Sequence, residues 1–279
     1  MLVNSRELLL KALKEGYAIP SYNINNIEWT KCILEACNED NSPVILSVTL
    51  GAVKYFGGYN VVSSVVNSLI KDLNIKIPVV LHLDHGKTFL DCKEAIDAGF
   101  TSVMIDASSK TLEENIKLSH DVTEYAIKKN VCVEGEIGEF SNSLDNISFD
   151  EYNCKEYVLS SGIDSLAPFI GNYHGLYKDE AKLDFELLGR ICKEVKIPLV
   201  LHGASGLDDN KIKTCIFCGV SKININTELQ VAWSNKVRGY LEYNKDIYDP
   251  RQIILSGCGA IKKIVHEKNN LFGSKNRAN

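Results

Sequence analysis

The sequence predicts a (β/α)8 barrel of the TIM type. Short, β-branched apolar runs alternate with longer amphipathic stretches along all 279 residues. Most of the runs are apolar almost throughout, as parallel strands are when both faces are covered, whereas one-sided antiparallel strands alternate apolar and polar. Eight strand–helix units average roughly 35 residues each, which is the size expected for a barrel of ~250 residues. The competing architecture, a doubly wound open sheet, usually has fewer strands and a glycine-rich first turn. No stretch rich in Pro, Gly or Ser divides the chain, so 1–279 reads as one domain.

The first segment, 1–20, carries Leu8, Leu9 and Leu13 at helical spacing among charges, unlike the uninterrupted apolar stretch of a signal peptide. Strands are expected near 17–23 (YAIPSYN), 43–49 (PVILSVT), 78–84 (PVVLHLD) and 101–106 (TSVMID). Four more are expected near 131–136 (VCVEGE), 163–169 (IDSLAPF), 198–203 (PLVLHG) and 221–226 (SKININ). Pro43, Pro78 and Pro198 open three of them, and a proline is tolerated at a strand's first residue because no ladder donor is lost there. Helices fill 27–39, 61–73, 88–97, 112–129, 151–161, 183–195 and 208–217, with Asp208 in an N-cap region and Gly99, Gly162 and Gly219 at C-termini. The stretch 137–150 is polar and irregular and reads as a loop after the fifth strand.

Composition narrows the function. A net charge of −5 disfavours a nucleic-acid or anionic-membrane surface, and no run approaches the ~18 apolar residues of a membrane span. The nine cysteines are odd in number and scattered, which argues for a cytoplasmic protein rather than a disulfide scaffold. Cys215 and Cys218 form a CxxC without a second pair; one helical turn apart, they are expected to serve packing.

Three of the six histidines fall at or just past strand C-termini: His85 after the third strand, His174 after the sixth and His202 ending the seventh. In a barrel these ends converge on one mouth, where active sites are built. Three imidazoles with an open fourth position suit a catalytic Zn2+. His82, His120 and His266 are read as lying on the wrong face, on a helix or near the C-terminus, with His82 in a supporting role. Asp84 precedes His85 and is placed to exchange a proton with a substrate oxygen, or to hold a histidine N–H. Asp106 and Glu136 end the fourth and fifth strands, where together they suit a second divalent metal or an alternative position of the first. HGASG (202–206) and NINT (224–227) end the seventh and eighth strands, the usual barrel phosphate site; their glycines admit backbone N–H groups, and Ser205 and Thr227 add hydroxyls.

The ordered segments SPVIL…YFGGY, HLDHG, GFTSVMIDAS, EEN, VEGEIG, GIDSLAP, HGLYK, PLVLHGASG, KININTE and DPR resemble the class II fructose-bisphosphate and tagatose-bisphosphate aldolase family over nearly the whole chain. The resemblance implies Asp84 as proton donor, His85, His174 and His202 as zinc ligands, and Asp106 with Glu136 as ligands of a second metal position. It implies dihydroxyacetone phosphate contacts at Gly175, at Gly203, Ala204 and Ser205, and at Asn224, Ile225, Asn226 and Thr227. Thr49 stands where the family has a serine contacting the aldehyde half. Arg251, in DPR, resembles an arginine that reaches the distal phosphate from a neighbouring subunit, in a family that is dimeric or tetrameric. The implied reaction is cleavage of a ketose bisphosphate, fructose 1,6-bisphosphate before its tagatose epimer, through a zinc-stabilised enediolate.

One segment departs from the family pattern. After EIG the family carries a glycine pair and acidic residues, one of which moves the carbon-bound proton; this chain reads EFSNSLDN, with Ser143 and Leu144 where that acid would fall. Glu139 and Asp145 are the carboxylates at hand. Three other functions compete. A Schiff-base aldolase needs a lysine in the mouth, and Lys222, near the start of the eighth strand, is disfavoured by alternation. A zinc hydrolase lacks its usual HxH pair on an early strand. A barrel that binds metal and sugar phosphate without turnover is the reading to which the altered loop points.

Overall fold

The computed structural model describes residues 2–138, 149–173, 175 and 181–278. Eight parallel strands close in sequence order: β1 (Ile19–Asn23), β2 (Val44–Thr49), β3 (Val79–Gly86), β4 (Ser102–Ile105), β5 (Cys132–Ile137), β6 (Ser165–Pro168), β7 (Leu199–Leu201) and β8 (Val220–Ile225), with β8 pairing back onto β1. The barrel and its eight expected strands are present, each boundary within a few residues of the expectation. Among the described residues no helix is long and apolar enough to cross a membrane.

The two faces of each strand do different work. Val44, Leu46 and Val48 of β2 and Leu81 and Leu83 of β3 face outward into the apolar layer beneath the helices. Their neighbours Ile45 and Val80 face inward with Ile19, where Leu9 and Ala12 of α1 (Arg6–Glu15) close the bottom of the barrel. Higher up, the interior turns polar. Ser21 and Ser47 hydroxyls lie 2.6 Å apart, and His82 Nδ1 lies 2.8 Å from Ser102 Oγ. Steps of two along a strand then carry the same face to the mouth: Ser21 to Asn23, His82 to Asp84, Lys222 to Asn224.

The outer ring follows the helical pattern. In α2 (Ile27–Glu39), Asn26 caps the N-terminus by accepting from Trp29 N–H, and Trp29, Cys32, Ile33, Ala36 and Cys37 form the buried stripe. Burial of each large apolar side chain contributes ~1.5–3 kcal/mol. Next come α4 (Tyr59–Asp72), α5 (Phe89–Asp97), α6 (Leu112–Ile127), α7 (Glu151–Ser161), α8 (Phe185–Val195) and α9 (Asp209–Phe217), where Asp208 caps as expected.

Two parts go beyond the sequence expectation. A short helix, α3 (Leu50–Phe56), starts directly at the end of β2, capped by the Thr49 hydroxyl, which accepts from Ala52 N–H, and stopped by left-handed Gly57. After β8 come α10 (Thr227–Tyr243), α11 (Pro250–Leu255) and α12 (Cys258–Leu271). The last returns to β1 and to the end of α2: Tyr22 Oη of β1 donates to Asn269 Oδ1 at 2.9 Å, and buried Asp40, the C-cap of α2, receives Asn269, His266 and Lys275. Cys215 is buried in α9 and Cys218 ends it, both as free thiols, in keeping with the packing role expected of them.

Candidate active site and metal centre

At the mouth, β3 breaks its own alternation. His82 and Asp84 face inward as regular strand residues, but His85 adopts φ +53°, and the register with β4 slips between Leu83 and Gly86. The kink turns His85 to the same side as Asp84, so two consecutive residues serve one site. A left-handed non-glycine residue costs roughly 1–2 kcal/mol, a strain typical of functional positions.

Asp84 is buried and held from both sides. Asn23 Nδ2 donates to its Oδ2 at 2.8 Å, and Asn224 Nδ2 to its Oδ1 at 3.3 Å. Burial alone would raise its pKa, but the neighbouring His85, then His202, Lys222 and His82, bring it down to about 2. His202, just beyond β7, packs its ring edge-on to His85 with centroids 4.9 Å apart. One ligand atom each from Asp84, His85 and His202 can be chosen so that all lie within 4.8 Å of one another.

A second group shares His85. Its Nδ1 lies 2.8 Å from Asp106 Oδ2, and Asp106 also receives Lys87 and the Ser108 hydroxyl. Those donors outweigh burial and hold the Asp106 carboxyl far below the usual carboxylate range. Glu136 is the contrast. It is 1% exposed, and neither carboxylate oxygen accepts a hydrogen bond from the described residues. Burial, then the charge of Asp106, pushes its pKa up to about 8. A buried carboxylate without donors is costly, and a cation beside it removes the cost. The carboxylate and imidazole set around His85 therefore fits a divalent metal of borderline softness.

Beside Asp84 and His85 opens a cavity of about 200 Å³, whose far wall is Gly175, Gly203, Ser205, Asn226 and Thr227. Gly203 has φ +61°, and a Cβ there would stand 2.2 Å from the Tyr173 carbonyl oxygen, so only glycine lets these two chain segments meet. Thr227 begins the 17-residue α10, whose N-cap, Asn226, makes no side-chain cap and leaves its buried Oδ1 without a partner among the described residues. The unsatisfied first-turn N–H groups and the helix dipole favour an anion. Glu228, in that turn, is neutralised by Lys268 at 2.9 Å. A larger groove of about 610 Å³ adjoins through Thr49, but among the described residues no carboxylate, imidazole or amine lines it.

The description "Fructose-bisphosphate aldolase class-II" belongs to the family profile that matches residues 3–277. The chain is 47% identical over 283 aligned positions to proteins named fructose-bisphosphate aldolase from Staphylococcus epidermidis and Geobacillus stearothermophilus, covering 99% of each chain. It also superposes on the solved YdjI aldolase of Escherichia coli K12 with a TM-score of 0.86 and 34% identity, covering 100% of both chains. The chain belongs to the class-II fructose-bisphosphate aldolase family. It is an aldolase, a carbon–carbon lyase.

Within this aldolase, the mouth brings together Asp84, His85, His202, Asp106, Glu136, Gly175, Gly203, Ser205, Asn224, Asn226, Thr227 and Thr49. Ala204 and Ile225 are fully buried, and neither side chain lines the cavity. Arg251 stands apart: it is 84% exposed and forked onto Asp249 at 2.8 Å. His174 lies outside the described residues, as do Glu139, Ser143, Leu144 and Asp145.

Two expectations are corrected. His82 is not on the wrong face; it is 1% exposed inside the barrel, two residues below Asp84, because β3 is regular that far. Lys222 likewise points inward, against the alternation argument, and its ammonium lies 2.6 Å from Glu134 Oε2 and 3.1 Å from His82 Nε2. Asn23 is the functional residue that sequence reasoning missed. It ends β1 as Thr49 ends β2, but the β1 end carries neither a titratable group nor a glycine-rich motif to mark it.

Proposed function

We propose that the chain is a zinc-dependent aldolase that cleaves fructose 1,6-bisphosphate reversibly to dihydroxyacetone phosphate and glyceraldehyde 3-phosphate. The observation that carries this reading is the approach of Asp84, His85 and His202 to one point beside a cavity walled on its far side by a helix N-terminus. His85, His174 and His202 hold the zinc, and Asp106 with Glu136 offer a second position for a divalent metal. Bound there, zinc supplies Lewis-acid charge stabilisation that no neutral side chain matches.

Asp84, ionised and clamped by Asn23 and Asn224, accepts the C4 hydroxyl proton as the C3–C4 bond breaks and returns it in condensation. Backbone N–H groups at Gly203, Ala204 and Ser205 and along Asn224, Ile225, Asn226 and Thr227, with Gly175, hold the dihydroxyacetone phosphate half. Fixing that half converts binding energy into orientation. Thr49 contacts the aldehyde half. The exposed Arg251 meets the distal phosphate from a neighbouring copy in a homodimer or homotetramer, and the protein works in the cytoplasm. With zinc present, a panel of ketose phosphates tests the reading: fructose 1,6-bisphosphate is expected to give the highest kcat/KM, above tagatose 1,6-bisphosphate. Tight binding of the panel with no triose release would instead support the non-catalytic barrel favoured by the altered loop, EFSNSLDN.

A further inference from the structure

Below the mouth, the barrel interior contains an ion pair that the aldol chemistry does not touch. Glu134 and Lys222 are 2% and 1% exposed, with Oε2 and Nζ 2.6 Å apart. Removing two charges from water costs several kcal/mol per ion before their attraction is counted, and well-packed apolar residues in their place are often as stable or more so. Stability is therefore a weak explanation for the pair, and its hydrogen bonds supply a better one.

Each proton in the cluster is dictated by a neighbour that can only donate or only accept. Lys222 can only donate, so His82 Nε2, 3.1 Å away, accepts, and its Nδ1–H donates to Ser102 Oγ at 2.8 Å. Glu134, paired with an ammonium, can only accept. Its other oxygen, Oε1, lies 2.9 Å from His202 Nε2, so that nitrogen carries the proton. A neutral imidazole has one such proton, which leaves the lone pair on Nδ1. That nitrogen lies on the mouth side of the ring, 3.4 Å from Asn224 Nδ2, which also donates to Asp84.

We propose that Glu134, locked by Lys222, is a positioning residue that fixes the ring orientation and tautomer of His202, so that Nδ1 is the atom His202 presents to the metal. The inference rests on the reading of His202 as a ligand, and its effect is on metal affinity rather than on a chemical step. Partners of this kind are typically worth ~10–100-fold in affinity.

The test uses the full-length protein, stripped of metal, with two readouts besides activity: zinc affinity by chelator competition and the His202 tautomer by 15N NMR. In wild type the tautomer is expected to be Nε2–H. In Glu134→Gln, Lys222 captures the amide oxygen and turns the NH2 toward His202, driving the ring proton to Nδ1. Zinc affinity should fall ~10–100-fold. In the double variant Glu134→Gln, Lys222→Met the amide is free to turn its oxygen to Nε2, so both the tautomer and most of the affinity should return. A merely structural role predicts the reverse, since losing a second buried partner adds damage. An Nδ1–H tautomer in wild type, unchanged affinity in Glu134→Gln, or no rescue in the double variant overturns the proposal. Failure of wild type to bind zinc at all refutes the metal reading instead, and the tautomer measurement still judges the positioning role.

Discussion

At the scale of single residues, the site depends on side chains whose freedom has been removed by neighbours. Asp84 has hydrogen bonds on both oxygens, so its carboxylate is held in one orientation. Asp84→Ala is expected to keep zinc and dihydroxyacetone phosphate binding while kcat for cleavage falls ~10²–10⁴-fold; an unchanged kcat in steady-state assays demotes it to structure. Gly203→Ala is a steric case. Its Cβ meets the Tyr173 backbone and its φ is positive, so the chain just before His174 must shift. Both the melting temperature and zinc affinity should drop, and a variant with wild-type values of both contradicts the close approach. Asp84, His85 and His202 were legible in the sequence because strand C-termini in a barrel share a mouth. The inward face of His82 was not, because β3 changes phase at His85; that of Lys222 was not, because a face assignment shifts with any error in strand phase, and Asn23 ends β1 with no titratable group or glycine motif to mark it.

Elements carry the next level. The barrel closes against α12 through Asp40, which ends α2 and accepts from Asn269 Nδ2 at 2.9 Å, His266 Nδ1 at 2.8 Å and Lys275 Nζ at 3.0 Å. Burial raises its pKa, but these donors outweigh burial and lower it below the ordinary carboxylate value. A depressed folded-state pKa means stability that is present above the unfolded pKa and lost as pH falls through the folded one. Asp40→Asn should therefore cost about 1–3 kcal/mol at pH 7, with the gap to wild type closing as acid protonates Asp40. Thermal melts from neutral to acid pH check this, and a gap that widens in acid reverses the sign.

The segment 139–148 belongs to the same scale, and there the sequence alone speaks. With Ser143 and Leu144 in place of an acid, exchange of the dihydroxyacetone phosphate C–H proton with solvent deuterium should be slow relative to cleavage, and Leu144→Glu should accelerate it. Rapid exchange in wild type that survives Glu139→Ala and Asp145→Ala places the base elsewhere in the mouth. Among elements, α3 and the three helices after β8 escaped the sequence reading. The first is a short capped helix of about two turns that starts directly at the end of β2, and the others follow the last barrel strand, beyond the strand–helix alternation that identified the fold.

For the molecule as a whole, the eightfold pattern was legible because parallel strands covered on both faces leave unbroken apolar runs, and closure follows once eight are present. The same closure gathers residues 84, 85 and 202 into one cluster. The polar interior beneath the mouth was invisible to the same reasoning, since a buried Lys222–Glu134 pair breaks the rule that inward positions are apolar.

The central claim, that cleavage requires a metal held at this mouth, is tested most directly by stripping the protein with a chelator and titrating Zn2+ back while following fructose 1,6-bisphosphate cleavage. Activity is expected to vanish in the stripped protein and to return in proportion to zinc bound, with His202→Ala unable to recover it. Full cleavage by the metal-free protein, with a substrate adduct trapped on Lys222 by borohydride, would contradict the account.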